Sequence, residues 1–232
     1  MTRKAKVAGW NTFDPVDAYL PSYNPAHDLT IGTVQKHFLD LATDRKLKWI
    51  HMGITCTSWS RLRLWTTGTR TAAQPMGVHP DPTELIGNKE LRFAMRLSRV
   101  MLRKGGYISI ENPRTSLMWK TSCVHSLMRD FPELQLIHFD QCCYGLGSPV
   151  GSEHKEVWKK ATCLLTNLPQ AQAIAKFCPG SHTHTAVVGQ IKIFGRNCRR
   201  STLAGAYPNA LCSAIVSAAS PILTTDCSTN RQ

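Results

Sequence analysis

Leu47-Lys48-Trp49-Ile50-His51-Met52-Gly53-Ile54-Thr55-Cys56-Thr57-Ser58-Trp59-Ser60 places an apolar run directly before a cysteine in a small, hydroxyl-rich turn. A short apolar run bounded by turn residues reads as a buried strand. Upstream, Val34, Phe38, Leu41 and Ala42 fall on one face at helical spacing. With a strand expected over 6–13, they make the strand-helix-strand unit of a parallel sheet. The alternation continues with a helix over 88–104 closed by Gly105-Gly106, and a strand over 107–110 running into Glu111-Asn112-Pro113. A short helix over 124–128, strands over 135–139 and 161–165, and a closing helix over 207–219 with Pro208 in its first turn follow. Residues 61–82 carry Pro75, Gly77, Pro80 and Pro82 and are expected as a long mobile loop.

The pattern predicts an α/β fold with a mostly parallel sheet. One domain is expected over 1–220, with a small Cys/His-containing sub-region over 161–200 and a flexible tail over 221–232. In such a sheet ligands bind beyond the carboxyl ends of the strands. Cys56, Glu111 and Asp140 are therefore expected on one edge.

Charge narrows the partners. The 28 Lys and Arg outnumber the 15 Asp and Glu, for a net charge of +13, which draws the chain to polyanions and above all to nucleic acid. No run of eighteen apolar residues exists, and Met1-Thr2-Arg3-Lys4-Ala5-Lys6 is not followed by a hydrophobic stretch. An intracellular protein of nucleus or cytoplasm, neither secreted nor membrane-bound, is expected. Nine cysteines, an odd number, fit a reducing compartment. Arg92, Arg96, Arg99 and Arg103 recur at i, i+4, i+7 and i+11, either as a solvated helix face or as a row that tracks phosphates.

A thiolate and a carboxylic acid on neighbouring strand-end loops can attack a pyrimidine ring and protonate it in one step. Cytosine C5 takes a methyl group only after such activation. Gly53-Ile54-Thr55-Cys56-Thr57-Ser58-Trp59-Ser60 resembles the catalytic loop of the DNA cytosine-5 methyltransferases, and Glu111-Asn112-Pro113 resembles their Glu-Asn dipeptide. The resemblance runs as an ordered series from Gly9 to Leu211. It implies a Rossmann-like S-adenosylmethionine-dependent methyltransferase fold, with Cys56 as nucleophile, Glu111 as acid and Asn112 in the same catalytic set. Asp14, in Gly9-Trp10-Asn11-Thr12-Phe13-Asp14, then matches the cofactor's ribose contact, and Asp28, in His27-Asp28-Leu29-Thr30, approaches its adenine. Ser58, Arg61 and Arg63 join the arginine row as nucleic-acid contacts, DNA before RNA. Lys155, Lys159 and Lys160 follow Asp140-Gln141-Cys142-Cys143-Tyr144-Gly145 as phosphate contacts.

Three departures from the family pattern carry expectations of their own. Thr55 stands where the family has a proline, which removes a fixed φ from the turn. Nothing upstream of Gly9 supplies the first β-α unit with its glycine loop, so S-adenosylmethionine is expected to bind weakly unless a partner chain or upstream segment provides that loop. No stretch is long enough for the usual recognition domain. The alternative on the same scaffold is a non-catalytic, basic nucleic-acid-binding protein.

Cys178-Pro179-Gly180-Ser181-His182-Thr183-His184 concentrates three metal-ligand side chains in seven residues. Zinc needs four in a tetrahedron, and Cys163 or Cys198 is expected to complete the set. The competing reading is a Pro-Gly turn with exposed histidines. Of the adjacent Cys142 and Cys143, one reads as core and one as sheet edge.

Overall fold

Residues 1–18, 22–60, 63 and 67–223 are described by the structure, a computed structural model. They form two compact units, each drawn from separated stretches of chain. Arg61 and residues 224–232, which hold Cys227 and most of the expected tail, lie outside the described residues.

The Cys56 unit spans Asp14–Leu136 and Leu164–Asn167. It holds helix α2 (Gly32–Thr43), strand β1 (Trp49–Gly53), helix α3 (Pro82–Arg103), strand β2 (Tyr107–Pro113) and helix α4 (Ser122–Asp130). The Cys/His unit spans Met1–Phe13, Ile137–Cys163 and Leu168–Gln232. Helix α1 (Thr2–Val7), strands β5 (Gln190–Ile193) and β6 (Arg196–Arg199), helix α5 (Arg200–Leu203) and helix α6 (Asn209–Ala219) belong to it. Strands β3 (Gln135–Asp140) and β4 (Ala161–Thr166) each contribute residues to both.

The sheet order is β1-β2-β4-β3. β1 and β2 pair in parallel, with Trp49 opposite Tyr107 and Gly53 opposite Glu111. The start of β2 meets the end of β4: Ile108 N donates to Asn167 Oδ1 (2.9 Å), and Thr166 Oγ1 donates to the Ile108 carbonyl (2.6 Å). That places β4 antiparallel to β2, and β5 pairs with β6 antiparallel too. The architecture is therefore α/β with a mixed sheet, where the sequence predicts a mostly parallel one. A parallel connection needs a crossover, usually a helix. Between β3 and β4 the chain offers only a 3-10 turn over Gln141–Tyr144 and irregular backbone.

α3 is the spine of the Cys56 unit. Asp81 caps it by accepting from Glu84 N (2.9 Å), with Pro82 in the first turn, so the helix begins six residues before the expected Asn88. Leu91, Ala94, Met95, Met101 and Leu102 face inward and join Ile108 and Ile110 of β2 in the core. Burying each large apolar side chain contributes about 1.5–3 kcal/mol. Trp49 Nε1 donates to Ser109 Oγ (3.0 Å) across the parallel pair, and His51 Nδ1 lies 2.8 Å from the same oxygen. Burial pushes the His51 imidazole down to about 4, so it is neutral at physiological pH.

One expectation at the chain's start needs correction. The strand expected over 6–13 is instead α1 followed by irregular backbone, because Arg3, Lys4, Ala5 and Lys6 favour helix and only Ala5 is buried. The β5–β6 hairpin was not anticipated. Its two-residue turn, Phe194-Gly195, has φ values of 46° and 76°, the left-handed pair that a two-residue hairpin turn demands, and Phe194 is an unusual residue to meet it.

In the Cys/His unit Leu146, Trp158, Ile191 and Ala204 form a small core beneath an ion pair. Arg200 grips Glu156 with both ends of its guanidinium, Nη2 to Oε1 at 2.6 Å and Nε to Oε2 at 2.8 Å, while Trp158 Nε1 also donates to Oε2 (2.6 Å). Arg200's hydrogen bonds hold the Glu156 carboxyl at about 2, against an ordinary 4.5. A depressed carboxyl stabilises fully above its unfolded pKa and loses that contribution as pH falls through the folded one. The stability gap between the parent and Arg200→Gln should thus be constant above about pH 4.5 and shrink toward pH 2. Urea unfolding across that range checks it, and a gap that stays constant to pH 2 counts against the pair.

Candidate functional site

The candidate catalytic centre is assembled at the carboxyl ends of β1 and β2. Because the two strands are parallel and Gly53 sits opposite Glu111, the turn that follows Gly53 leaves from the same edge on which β2 presents its acid. Asn112 Nδ2 donates to the Ile54 carbonyl (2.7 Å), tying the end of β2 to the segment two residues before Cys56. Cys56 is exposed, whereas Glu111 and Asn112 are 5 % and 0 % exposed. An accessible thiol and a desolvated carboxyl at one sheet edge make an arrangement suited to covalent attack on a substrate and proton delivery to it.

Behind the turn lies a buried polar network that the sequence reading missed. Arg70, 2 % exposed, donates to the Pro75 carbonyl (2.7 Å), Asn88 Oδ1 (2.8 Å), the Glu84 carbonyl (2.9 Å) and Ser58 Oγ (3.3 Å). Its guanidinium also stacks 3.5 Å from the centre of the Trp59 ring. Glu84, fully buried, pairs with it at 3.9 Å and accepts from Thr69 N and Oγ1. Burial pushes the Arg70 guanidinium down to about 10, with Glu84 and Asp81 opposing, so it stays cationic at neutral pH. The network pins the 3-10 turn Thr57–Trp59 onto α3. Gly87 permits the approach, since a Cβ there would lie 2.3 Å from Ser58 Oγ. The segment expected as a mobile loop is thus anchored, over its described residues, by side chains whose partners lie up to 18 residues away.

The other expected site residues sort themselves by these contacts. Ser58, expected at nucleic acid, is buried under Arg70. Arg63 pairs with Asp81, and Arg99 with Asp130 (2.5 Å) and Ser126 (3.0 Å), so ion pairs within the unit already engage both. Arg92, Arg96 and Arg103 remain exposed along α3. Asp28 accepts from Thr30 N and Oγ1 and from Tyr23 OH, and the Thr30 hydroxyl holds its carboxyl below the usual range. Asp14 is exposed on irregular backbone rather than at a strand end. Glu90 of α3 is a further acid that the sequence reading passed over: the Thr55 hydroxyl hydrogen-bonds it while burial raises its pKa. Glu90 Oε2 and Asn112 Oδ1 are buried acceptors without a hydrogen-bond partner among the described residues.

The Cys/His unit holds a second centre. Cys142, Cys178, His182 and His184 bring one donor atom each to within 4.8 Å of one another, so a metal ion could be held there. Cys178 Sγ lies 3.5 Å from Nε2 of both histidines, and those two nitrogens are 2.9 Å apart. The fourth donor is Cys142 and neither Cys163 nor Cys198. Cys163 is buried in β4, and Cys142 is delivered by the 3-10 turn that follows β3. Burial, then the neighbouring Cys178 thiol, pushes Cys142 up to about 12. Of the three lysines expected at phosphates, Lys155 is exposed, Lys159 lies 4.0 Å from Asp140, and Lys160 donates to the Ala204 carbonyl (3.2 Å).

Fold and site define an α/β protein in which a parallel strand pair ends in an exposed thiol and a buried carboxyl, with a Cys/His donor cluster in its other unit. No protein-family model, no curated protein and no solved structure matches the chain. Among the described residues, no helix is long and apolar enough to cross a membrane.

Proposed function

We propose that this chain is a DNA (cytosine-5) methyltransferase-like protein of Rossmann-like descent, acting on cytosine through the Cys56 thiolate. The observation that carries the reading is the parallel register of Gly53 with Glu111, braced by Asn112 on the Ile54 carbonyl, which puts thiol and acid at one edge. Cys56 Sγ adds to cytosine C6 while Glu111 hydrogen-bonds or protonates N3, leaving C5 nucleophilic. Asn112 positions the turn. Once C5 carries the new methyl group, its proton passes to solvent as the C6–S bond breaks and the thiolate leaves, and N3 returns its proton to Glu111, which restores the ring.

S-adenosylmethionine supplies the electrophilic methyl group when bound. The chain offers that ligand's hydroxyl and ammonium donors two buried acceptors, Glu90 Oε2 and Asn112 Oδ1, while Asp28 is already engaged by Thr30 and Tyr23. Zinc completes the proposal as the metal of the Cys/His cluster, because two thiolates and two imidazoles are a borderline-soft set that suits it. Capture on DNA carrying 5-fluorocytosine tests the reading, since fluorine at C5 cannot leave as a proton does. A denaturation-resistant adduct formed only with S-adenosylmethionine present supports it. Sequence-independent binding without adduct or methyl transfer replaces it with the non-catalytic alternative.

Nucleic acid is the proposed partner on charge and exposure. Replacing Arg92, Arg96 and Arg103 together by alanine should lower the salt slope of DNA binding by up to about 2.7, at roughly 0.9 per phosphate contact. Arg99→Ala should leave the slope unchanged, since its guanidinium serves Asp130 and Ser126. Titrations at several salt concentrations measure both. A fall in slope for Arg99→Ala of about one third of the triple variant's would mean that the α4 contacts do not hold Arg99 back in solution.

A further inference from the structure

We infer that Cys142, Cys178, His182 and His184 form a closed, structural zinc centre that orders residues 175–190, with Asp140 as the positioning carboxylate behind it. The inference rests on the zinc assignment proposed above and adds what the metal does. Zinc bonds of about 2.3 Å to sulfur and 2.0–2.1 Å to nitrogen put the S···N edge of a tetrahedron at about 3.6 Å. Cys178 Sγ stands 3.5 Å from each Nε2. Both histidines also turn the same nitrogen toward that sulfur, and their 2.9 Å separation, an N–H···N hydrogen-bond distance, would open to about 3.3 Å around zinc. Four protein donors fill a tetrahedron. No position is left for water, which is the mark of a structural rather than a catalytic zinc.

The surrounding chain is shaped to deliver these donors. The 3-10 turn that carries Cys142 ends at Gly145 in the left-handed region (φ 82°), and Pro179-Gly180 folds the backbone so that Gly180 N donates to Cys178 Sγ (3.4 Å). Asp140 Oδ2 accepts from Cys178 N (3.0 Å), so its carboxylate fixes the backbone of a ligand residue. Outer groups that hydrogen-bond a ligand residue orient the ligands and raise metal affinity, and Asp140 serves Cys178 in that way.

The need for a metal is legible in the burial pattern. From 175 to 189 the backbone forms no helix and no strand beyond an isolated bridge at Thr185, and no residue from 175 to 190 is buried. Phe177 and Val188 are exposed. With no fully buried side chain and only partly buried ones such as Val187 against the small core, the stretch gains little from the hydrophobic effect to offset its ordering entropy. Zinc binding, which releases the two thiol protons to solvent and leaves a neutral Zn²⁺(S⁻)₂N₂ centre, supplies that missing term.

Metal analysis of the 232-residue chain should find one zinc per molecule, and cobalt exchanged into it should show thiolate-to-metal charge transfer with tetrahedral ligand-field bands. Cys142→Ser and His184→Ala should lose the metal, while Cys163→Ser keeps it. Chelating zinc from the parent should lower its melting temperature by about 10 °C and open 175–190 to proteolysis. Asp140→Asn should weaken zinc about 10–100-fold at unchanged stoichiometry. Absence of both zinc and cobalt overturns the metal assignment itself. Bound zinc whose removal changes neither melting nor proteolysis leaves that assignment standing and overturns the structural role, and unchanged zinc affinity in Asp140→Asn overturns the part given to Asp140.

Discussion

Cys56→Ser is expected to abolish methyl transfer, by at least about a thousandfold, while leaving the fold and DNA affinity unchanged. A serine hydroxyl is almost wholly protonated at neutral pH and is a far weaker nucleophile than a thiolate. Cys56 is exposed, so exchanging sulfur for oxygen disturbs no packing. The 5-fluorocytosine adduct should therefore appear with the parent and vanish with the variant, at equal melting temperatures. Glu111→Gln should be less severe, about 10²–10⁴-fold, because the amide keeps the shape but gives up the acid. An adduct of equal yield in Cys56→Ser would remove Cys56 from the chemistry and the methyltransferase reading with it.

Arg70→Leu should be the most destabilising single change in the Cys56 unit. It removes four hydrogen bonds and the stacking on Trp59, and leaves Glu84 as a buried carboxylate served only by Thr69. Breaking one partner of a buried pair costs about 3–5 kcal/mol, or roughly 10 °C in a chain of this size. Replacing both partners, Arg70→Leu with Glu84→Met, should recover much of the loss, since no charge then remains buried. Thermal unfolding of the two variants decides this. A double variant no more stable than Arg70→Leu would show that the hydrogen bonds to Ser58 and Asn88, rather than the charge, carry the stability. Chemistry should suffer as well, because Ser58 and Trp59 lose the brace that holds the Cys56 turn against α3.

Much of the Cys56 unit was legible because its signals are local. The apolar run before Cys56, the stripe of Leu91, Ala94, Met95, Met101 and Leu102, and the Gly105-Gly106 stop each follow from period and composition over a dozen residues. Even the missed start of α3 had a local sign, Asp81-Pro82 followed three residues after the aspartate by Glu84. Arg70 had none. A buried arginine is written like an exposed one, and its partners at Pro75, Glu84, Asn88 and Ser58 become visible only when the chain is folded. Arg99 reads as one of a row of four, yet Asp130, 31 residues on, claims it.

By itself the sequence determined the alternation of helices and strands between Gly32 and Thr166, the basic charge, and the order of thiol, acid and Cys/His cluster along the chain. These depend on side-chain chemistry and on periods of two and 3.6, which need no partner from afar. Only the tertiary structure decided that Gly53 faces Glu111, that the sheet is mixed, that Gly87 admits Ser58, and that Cys142 rather than Cys163 meets Cys178, His182 and His184. Each of these is a meeting of residues separated in sequence, set by strand direction and by which side of a turn a side chain leaves. A β-strand alternates its faces residue by residue, so a shift of one position turns a ligand into a core residue. Adjacent thiols such as Cys142 and Cys143 are told apart only by the backbone that carries them.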